Sequence, residues 1–211
     1  MAKVATRKGV HTLKTREINM KHNRSQGLKL ETRALQGNDE LIIEGYFATF
    51  NNRTELWKGA YEQILPSAFD SSINGDIRAL ADHDTAKVLG RTTAGTLDLT
   101  VDNKGLYGTI KINQNDPEAV ALYERVKRGD IDNCSFGFRV IEEETIFADD
   151  GTVEWRLKDV ELLEVSIVTF PAYDGTSVQA RKKEFELINE KRQKESLETK
   201  KRELKERYTW L

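Results

Sequence analysis

Cysteine is almost missing from this chain of 211 residues: Cys134 stands alone, so no intramolecular disulfide can form. The clustered Cys and His spacing of a structural zinc site is missing too, and no metal or cofactor is expected. One free thiol fits a reducing cytoplasm. Histidine occurs three times, as His11, His22 and His83, which leaves few choices for any chemistry that needs an imidazole. No apolar run approaches the roughly 20 residues that span a bilayer, and Met1 to Lys8 lack the apolar segment of a secretory signal. The sequence reads as soluble, not exported and without a membrane partner.

What is present is a hydrophobic share of 38%, enough for the core of one domain of ordinary size with extensions. The net charge of −2 conceals an uneven distribution. Residues 1–29 hold eight Lys or Arg against one acid, and residues 181–211 hold eleven against seven. Of the totals of 33 and 35, fourteen basic and twenty-seven acidic residues remain for the middle. The chain thus divides into a basic, flexible arm over 1–28, an acidic globular domain over 29–180, and a charged C-terminal helix over 181–211. No aromatic residues interleave with the N-terminal charges, so nucleic acid is not the expected partner.

Along the domain, Leu28–Leu30 and Leu41–Phe50 alternate around a Gln36-Gly37-Asn38-Asp39 turn and predict an opening hairpin. Pro66 is placed to start a short helix that Asn74-Gly75 ends. Ile77–Ala81, Val88–Arg91, Thr96–Val101 and Leu106–Ile112 predict strands, the last two joined by a turn at Asp102–Gly105. A helix is predicted from Asp116 to Arg128, with Asp116 as N-cap, Pro117 at the first helical position, Ala119, Leu122, Tyr123 and Val126 on one face, and Gly129 as the stop. Leu162–Phe170, nearly all apolar, predicts a strand buried on both faces and ended by Pro171. The expected class is α+β, mainly β.

Three residues are out of keeping with a purely structural role. In Asn133–Val140, alternation sends Cys134, Phe136, Phe138 and Val140 to one face and Ser135, Gly137 and Arg139 to the other, so Ser135 looks outward from a core-backed strand. His83 sits in a polar turn. Glu164 interrupts an apolar strand, where an ionised carboxylate needs a partner. A serine hydroxyl, an imidazole to take its proton and a carboxylate to orient the imidazole are the parts of nucleophilic acyl transfer. Structural roles compete: His83 as a surface turn residue, and Glu164 paired with Arg91, Arg139 or Arg156. Cys134 is the rival nucleophile, but its alternation points it to the core.

Asp82-His83-Asp84, Val88-Leu89-Gly90-Arg91, Gly105-Leu106, Cys134-Ser135-Phe136-Gly137-Phe138, Leu163-Glu164-Val165-Ser166-Ile167-Val168 and Pro171-Ala172, in that order, resemble the prohead maturation proteases of tailed bacteriophages. Those proteins are distant relatives of the herpesvirus assembly proteases. The resemblance runs from about Glu44 to Ala180. It implies an antiparallel β-barrel surrounded by a few helices and a serine endopeptidase with Ser135 as nucleophile and His83 as general base. Glu164 fits the third position best, with Asp82 and Asp84 as rivals. It further implies the scaffold segment and major capsid protein as substrates, self-cleavage, a homo-oligomer, and action in the host cytoplasm inside the immature capsid. The charged C-terminal helix would be a targeting or self-cleaved segment. A non-catalytic capsid or tail assembly protein on the same fold is the alternative. The oxyanion hole stays open between backbone N–H groups near Ser135 and Arg139.

Overall fold

The two longest strands, Asn133–Phe147 and Val153–Val168, form one extended antiparallel hairpin, and most of the remaining chain is arranged on it. The computed structural model describes residues 9–11, 21–26, 28–34, 40–148, 150–170 and 175–208. In chain order the elements are β1 (Gly9–His11), β2 (His22–Arg24), β3 (Leu30–Ala34), β4 (Leu41–Thr49), β5 (Thr54–Trp57), β6 (Ala60–Ile64), β7 (Arg78–Ala81) and β8 (Asp84–Arg91). There follow β9 (Leu97–Val101), β10 (Gly105–Ile112), α1 (Pro117–Arg128), β11 (Asn133–Phe147), β12 (Val153–Val168) and α2 (Gly175–Tyr208).

Two sheets result. The larger runs β1-β11-β12-β6-β5, with β2 also on β11 and with β7, which carries β8, also on β12. The smaller is β3-β4-β10-β9. Neither closes, so the expected barrel is not formed. The physical reason is that β6 and β7 share one long strand, each pairing in parallel with a different stretch of β12. Among the described residues β3, β5 and β9 each have a single neighbour, and a barrel leaves no such edge.

The core lies where Phe136, Phe138, Val165 and Ile167 of the larger sheet meet Ile43, Phe47, Leu106 and Ile110 of the smaller. Phe136 stacks on Phe138 at 5.1 Å and meets Phe69 edge-on at 5.8 Å. Helix α1 packs on β3, β4 and β10 through Ala119, Leu122, Tyr123 and Val126. Its start and stop are those the sequence predicts: Asp116 accepts from Glu118 N and Ala119 N, and Gly129 takes the left-handed conformation at φ 86°.

Pro66 starts no helix. Residues 65–75 form successive turns, because Ser67 and Ser72 donate to the Lys158 and Val160 carbonyls, and Val160 N donates to Ala68 O. These bonds hold the segment against β12, in competition with helical ones. The buried strand expected over Leu162–Phe170 is the end of β12, which stops at Val168 and leaves Phe170 78% exposed. The predicted Gln36–Asp39 turn and Pro171 lie outside the described residues. The N-terminal segment is not wholly an arm: β2 pairs with β11, and His22, Arg24 and Ser25 are buried. Residues 174–211 form a separate compact unit, in which α2 exposes Leu197 and Leu204.

Candidate active site

Antiparallel register places Ser135 opposite Ser166 and Gly137 opposite Glu164. Directly opposed residues share a face, so these four lie together on the side of the larger sheet turned away from the phenylalanines. On the other side of β12, β7 runs parallel with Leu80 beside Ser166 and Ala81 beside Ile167. The chain then reverses into β8 through two residues only, Asp82 at φ 48° and His83 at φ 60°. Two consecutive left-handed residues make the kind of turn whose twist suits a tight hairpin, and glycine or asparagine usually occupies them. Asp82 and His83 are held there because Asp82 N donates to Ile167 O and the Asp82 carboxylate accepts from Thr169 N at 2.8 Å and Thr169 Oγ1 at 3.2 Å. Non-glycine residues in this region carry strain of order 1–2 kcal/mol each. Here it brings the imidazole back over β12.

The result is a short contact between His83 Nδ1 and Glu164 Oε1, at 2.7 Å. Both side chains are largely buried, 13% and 4% exposed. Glu164 also accepts from Ser166 Oγ at 2.5 Å through Oε2, and Lys21 Nζ lies 2.8 Å from Oε1. Burial alone would push the Glu164 carboxyl up. The hydrogen bond and charge of His83, with those of Lys21 and Ser166, outweigh it and hold the group below its ordinary value. The anomalous carboxylate of the apolar strand is therefore an ionised, fully partnered one. With Nδ1 turned to the carboxylate, Nε2 is the nitrogen left to accept a proton, and it is buried without a hydrogen-bond partner among the described residues.

Ser135 does not look outward. It is 0% exposed, and its Oγ donates to the Arg24 carbonyl at 2.9 Å. Alternation assigned the face correctly, but the hydroxyl is taken up by the carbonyl of a strand, β2, that pairs along the edge of β11 from more than a hundred residues away in the chain. Cys134 is on the core side, its Sγ 3.0 Å from Tyr46 O, and burial pushes its thiol up to about 12. A thiol in that state is not a nucleophile near neutral pH. The arginines that could have taken Glu164 are engaged elsewhere: Arg91 with Asp76, Arg139 with Glu161, Arg156 with Glu154. Asp84 accepts from Ala86 N and faces Lys87, and Asp82 is taken by Thr169, so among the described residues it is Glu164 that bonds the His83 ring.

Sequence reasoning missed Lys21, Ser166 and the reason for Gly137. Ser166 carried a legible signal, two residues from Glu164 on the same face of a strand. Lys21 carried none. At Gly137 a Cβ would lie 2.9 Å from Glu164 Cδ and 2.5 Å from Lys21 Cε, with Oε1 nearer still. The glycine makes room for a carboxylate. A cavity of about 750 Å³ lies beside the hairpin, lined by Asp82, Val88, Leu122, Arg125 and Thr169 among others, but by none of the three candidate residues. Among the described residues no group of His, Cys, Asp or Glu is placed to hold a metal ion.

A family model described as caudovirus prohead serine protease matches residues 28–191. A prohead protease of Escherichia phage T5 is 31% identical over 101 residues, which cover 47% of this chain and 43% of that protein. The match thus spans less than half the length of that relative. The solved structure of the bacteriophage T4 capsid assembly protease covers 72% of this chain and 98% of its own, at 14% identity and a TM-score of 0.43.

Proposed function

Because the chain belongs to the caudovirus prohead serine protease family, we propose that it is a serine endopeptidase in which Ser135 is the nucleophile, His83 the general base and Glu164 the group that orients His83. The observation that carries this reading is the 2.7 Å contact of His83 Nδ1 with a buried, ionised Glu164, which leaves Nε2 as the free basic nitrogen on the face of the sheet that holds Ser135. A serine hydroxyl is a weak nucleophile until a base removes its proton.

In this mechanism His83 Nε2 takes the Ser135 proton as Oγ attacks the peptide carbonyl, and Glu164 stabilises the imidazolium that forms. The tetrahedral intermediate collapses with the C–N bond breaking and His83 protonating the leaving amine. Water, deprotonated by the same nitrogen, then releases the acyl group and restores Ser135. Donors for the developing oxyanion are required. Arg139, already tied to Glu161 at 2.8 Å, is less suited to that role than backbone N–H groups near Ser135. The substrates proposed are the scaffold segment and the major capsid protein, cut inside the assembling capsid in the host cell by a homo-oligomer, and the unit containing α2 serves to bring the enzyme there.

Intact-mass measurement of the expressed chain and of an added capsid-protein substrate, beside Ser135→Ala, tests the reading. Cleavage should fall about a millionfold in the variant if the three residues act as a unit. Equal cleavage by both proteins removes Ser135 from the mechanism, and no cleavage by the wild type leaves a non-catalytic assembly protein as the better description.

A further inference from the structure

The segment that holds the Ser135 hydroxyl has the form of a substrate. His22, Asn23 and Arg24 are extended and pair antiparallel with Phe138, Gly137 and Phe136, in register, along the strand that carries the proposed nucleophile. Strand addition of this kind lets a binding groove hold any peptide by its main chain and choose among peptides by pockets for alternate side chains. The carbonyl facing the hydroxyl is that of Arg24, at 2.9 Å, and the next residue is fixed by Ser25 Oγ donating to Cys134 O at 2.7 Å. The peptide bond lying across Ser135 is therefore Arg24–Ser25.

The side chains of the segment occupy built positions. Arg24 is 3% exposed and meets Glu62, also 3% exposed, through Nε at 2.5 Å and Nη2 at 3.0 Å, with its guanidinium 5.9 Å from the Phe138 ring centre. A two-pronged carboxylate beside an aromatic face is the arrangement that distinguishes arginine from lysine or a neutral residue. As a device for stability it is a poor one, since burying both charges offsets most of their attraction. His22 stacks on Phe138 at 5.5 Å, and Lys21 reaches the Glu164 oxygen that His83 uses.

Resting on the peptidase reading above, we propose that residues 21–25 lie in the substrate groove as a bound substrate, that the enzyme cuts its own chain between Arg24 and Ser25, and that Glu62 with Phe138 forms a pocket selecting arginine on the acyl side of the scissile bond. The contact as it stands is a held state, because the hydroxyl donates to the carbonyl oxygen; attack requires the carbonyl carbon to turn toward Oγ. Then Oγ bonds to the Arg24 carbon while His83 takes its proton. The Arg24–Ser25 C–N bond breaks with that proton going to the Ser25 nitrogen, and one water hydrolyses the ester to an Arg24 carboxylate. Departure of residues 1–24 frees Glu164 from Lys21 and empties the Glu62 pocket for arginine-bearing segments of other chains.

The full-length protein, incubated and followed by intact mass and N-terminal sequencing, should give a product that begins at Ser25, absent in Ser135→Ala. Two hexapeptides, the sequence of residues 21–26 and the same with alanine in place of arginine, are offered to the same protein. The arginine peptide should be cut at least about 100-fold faster, with the preference lost in Glu62→Gln and restored in Glu62→Asp. The peptide comparison holds whether or not the Glu62 variants fold well. If Ser135 cuts other bonds while Arg24–Ser25 stays intact and the two peptides are cut alike, the groove assignment is overturned and the peptidase reading stands. If the wild type cuts nothing, the peptidase reading fails first.

Discussion

Replacing Gly137 with alanine adds a single methyl group directly across the strand pair from Glu164, and its effect should fall on catalysis more than on the fold. The backbone at Gly137 is not left-handed, so alanine is compatible with it; what resists is the carboxylate, together with the flexible Lys21 stem, which can swing aside. The new Cβ would sit 2.9 Å from Glu164 Cδ, where ordinary contact begins at 3.4 Å, so the carboxylate must retreat by at least about 0.5 Å. Oε1, the oxygen that meets His83 at 2.7 Å in the native protein, is the carboxylate atom nearest the new methyl, so the shift disturbs this charge-assisted hydrogen bond directly. Losing the orientation of the base by this amount should lower kcat about 10²- to 10⁴-fold, or about 3–5 kcal/mol of transition-state stabilisation. The assay is turnover of a capsid-protein substrate beside thermal unfolding, with Glu164→Gln as the reference. Full activity in Gly137→Ala alongside an inactive Glu164→Gln would show that the position of the carboxylate is not what matters. Full activity in Glu164→Gln would remove the acid from the mechanism altogether.

Cys134→Ala should retain turnover, because the thiol is buried on the core face, and should cost about 1 kcal/mol in thermal unfolding; loss of activity with the fold intact would reinstate the cysteine as nucleophile. Glu164 is held below its ordinary 4.5, so its contribution to stability is fully present above that pH and is lost as the pH falls through the lower folded value. Denaturant midpoints measured downward from about pH 4.5 should therefore fall more steeply for the wild type than for Glu164→Gln, and parallel curves would contradict the depressed carboxyl. Deleting residues 181–211 should reduce incorporation into capsids while leaving peptidase activity intact. Normal packaging of the shortened chain would dismiss the targeting role of α2.

Local chemistry carried a good part of this architecture. Helix α1 is legible to the residue because its signals are local: a cap, a first-position proline, an apolar stripe and a glycine stop. The β3–β4 and β9–β10 hairpins are legible for the same reason. The short strands β5 and β6 and the turns over 65–75 are not. Their conformations are set by the parallel pairing of β6 to β12, by β5 pairing antiparallel with β6 in turn, and by serine hydroxyls that bond across the sheet. A proline that could open a helix elsewhere opens a turn here, because its neighbours found better partners. Closure misled in the same way: strand pattern indicates how many strands there are, whereas a barrel depends on which edges meet.

At the site the division is similar. The sequence by itself determined that Ser135, His83 and Glu164 were out of keeping with their settings, that Cys134 faced the core, and that Glu164 needed a partner, since alternation and the cost of a buried charge are properties of a few neighbouring residues. Only the tertiary structure decided that the partner is His83 and no arginine. It also decided that Gly137 clears space for a carboxylate, and that the basic stretch with no periodic signal pairs along β11, with Lys21 at Glu164 and the Arg24 carbonyl at Ser135. Those facts depend on the register of β11 against β12 and β2, and on a two-residue turn that folds an imidazole back over a strand some eighty residues away. Register is a property of the assembled sheet, and no stretch of sequence short enough to read by pattern contains it.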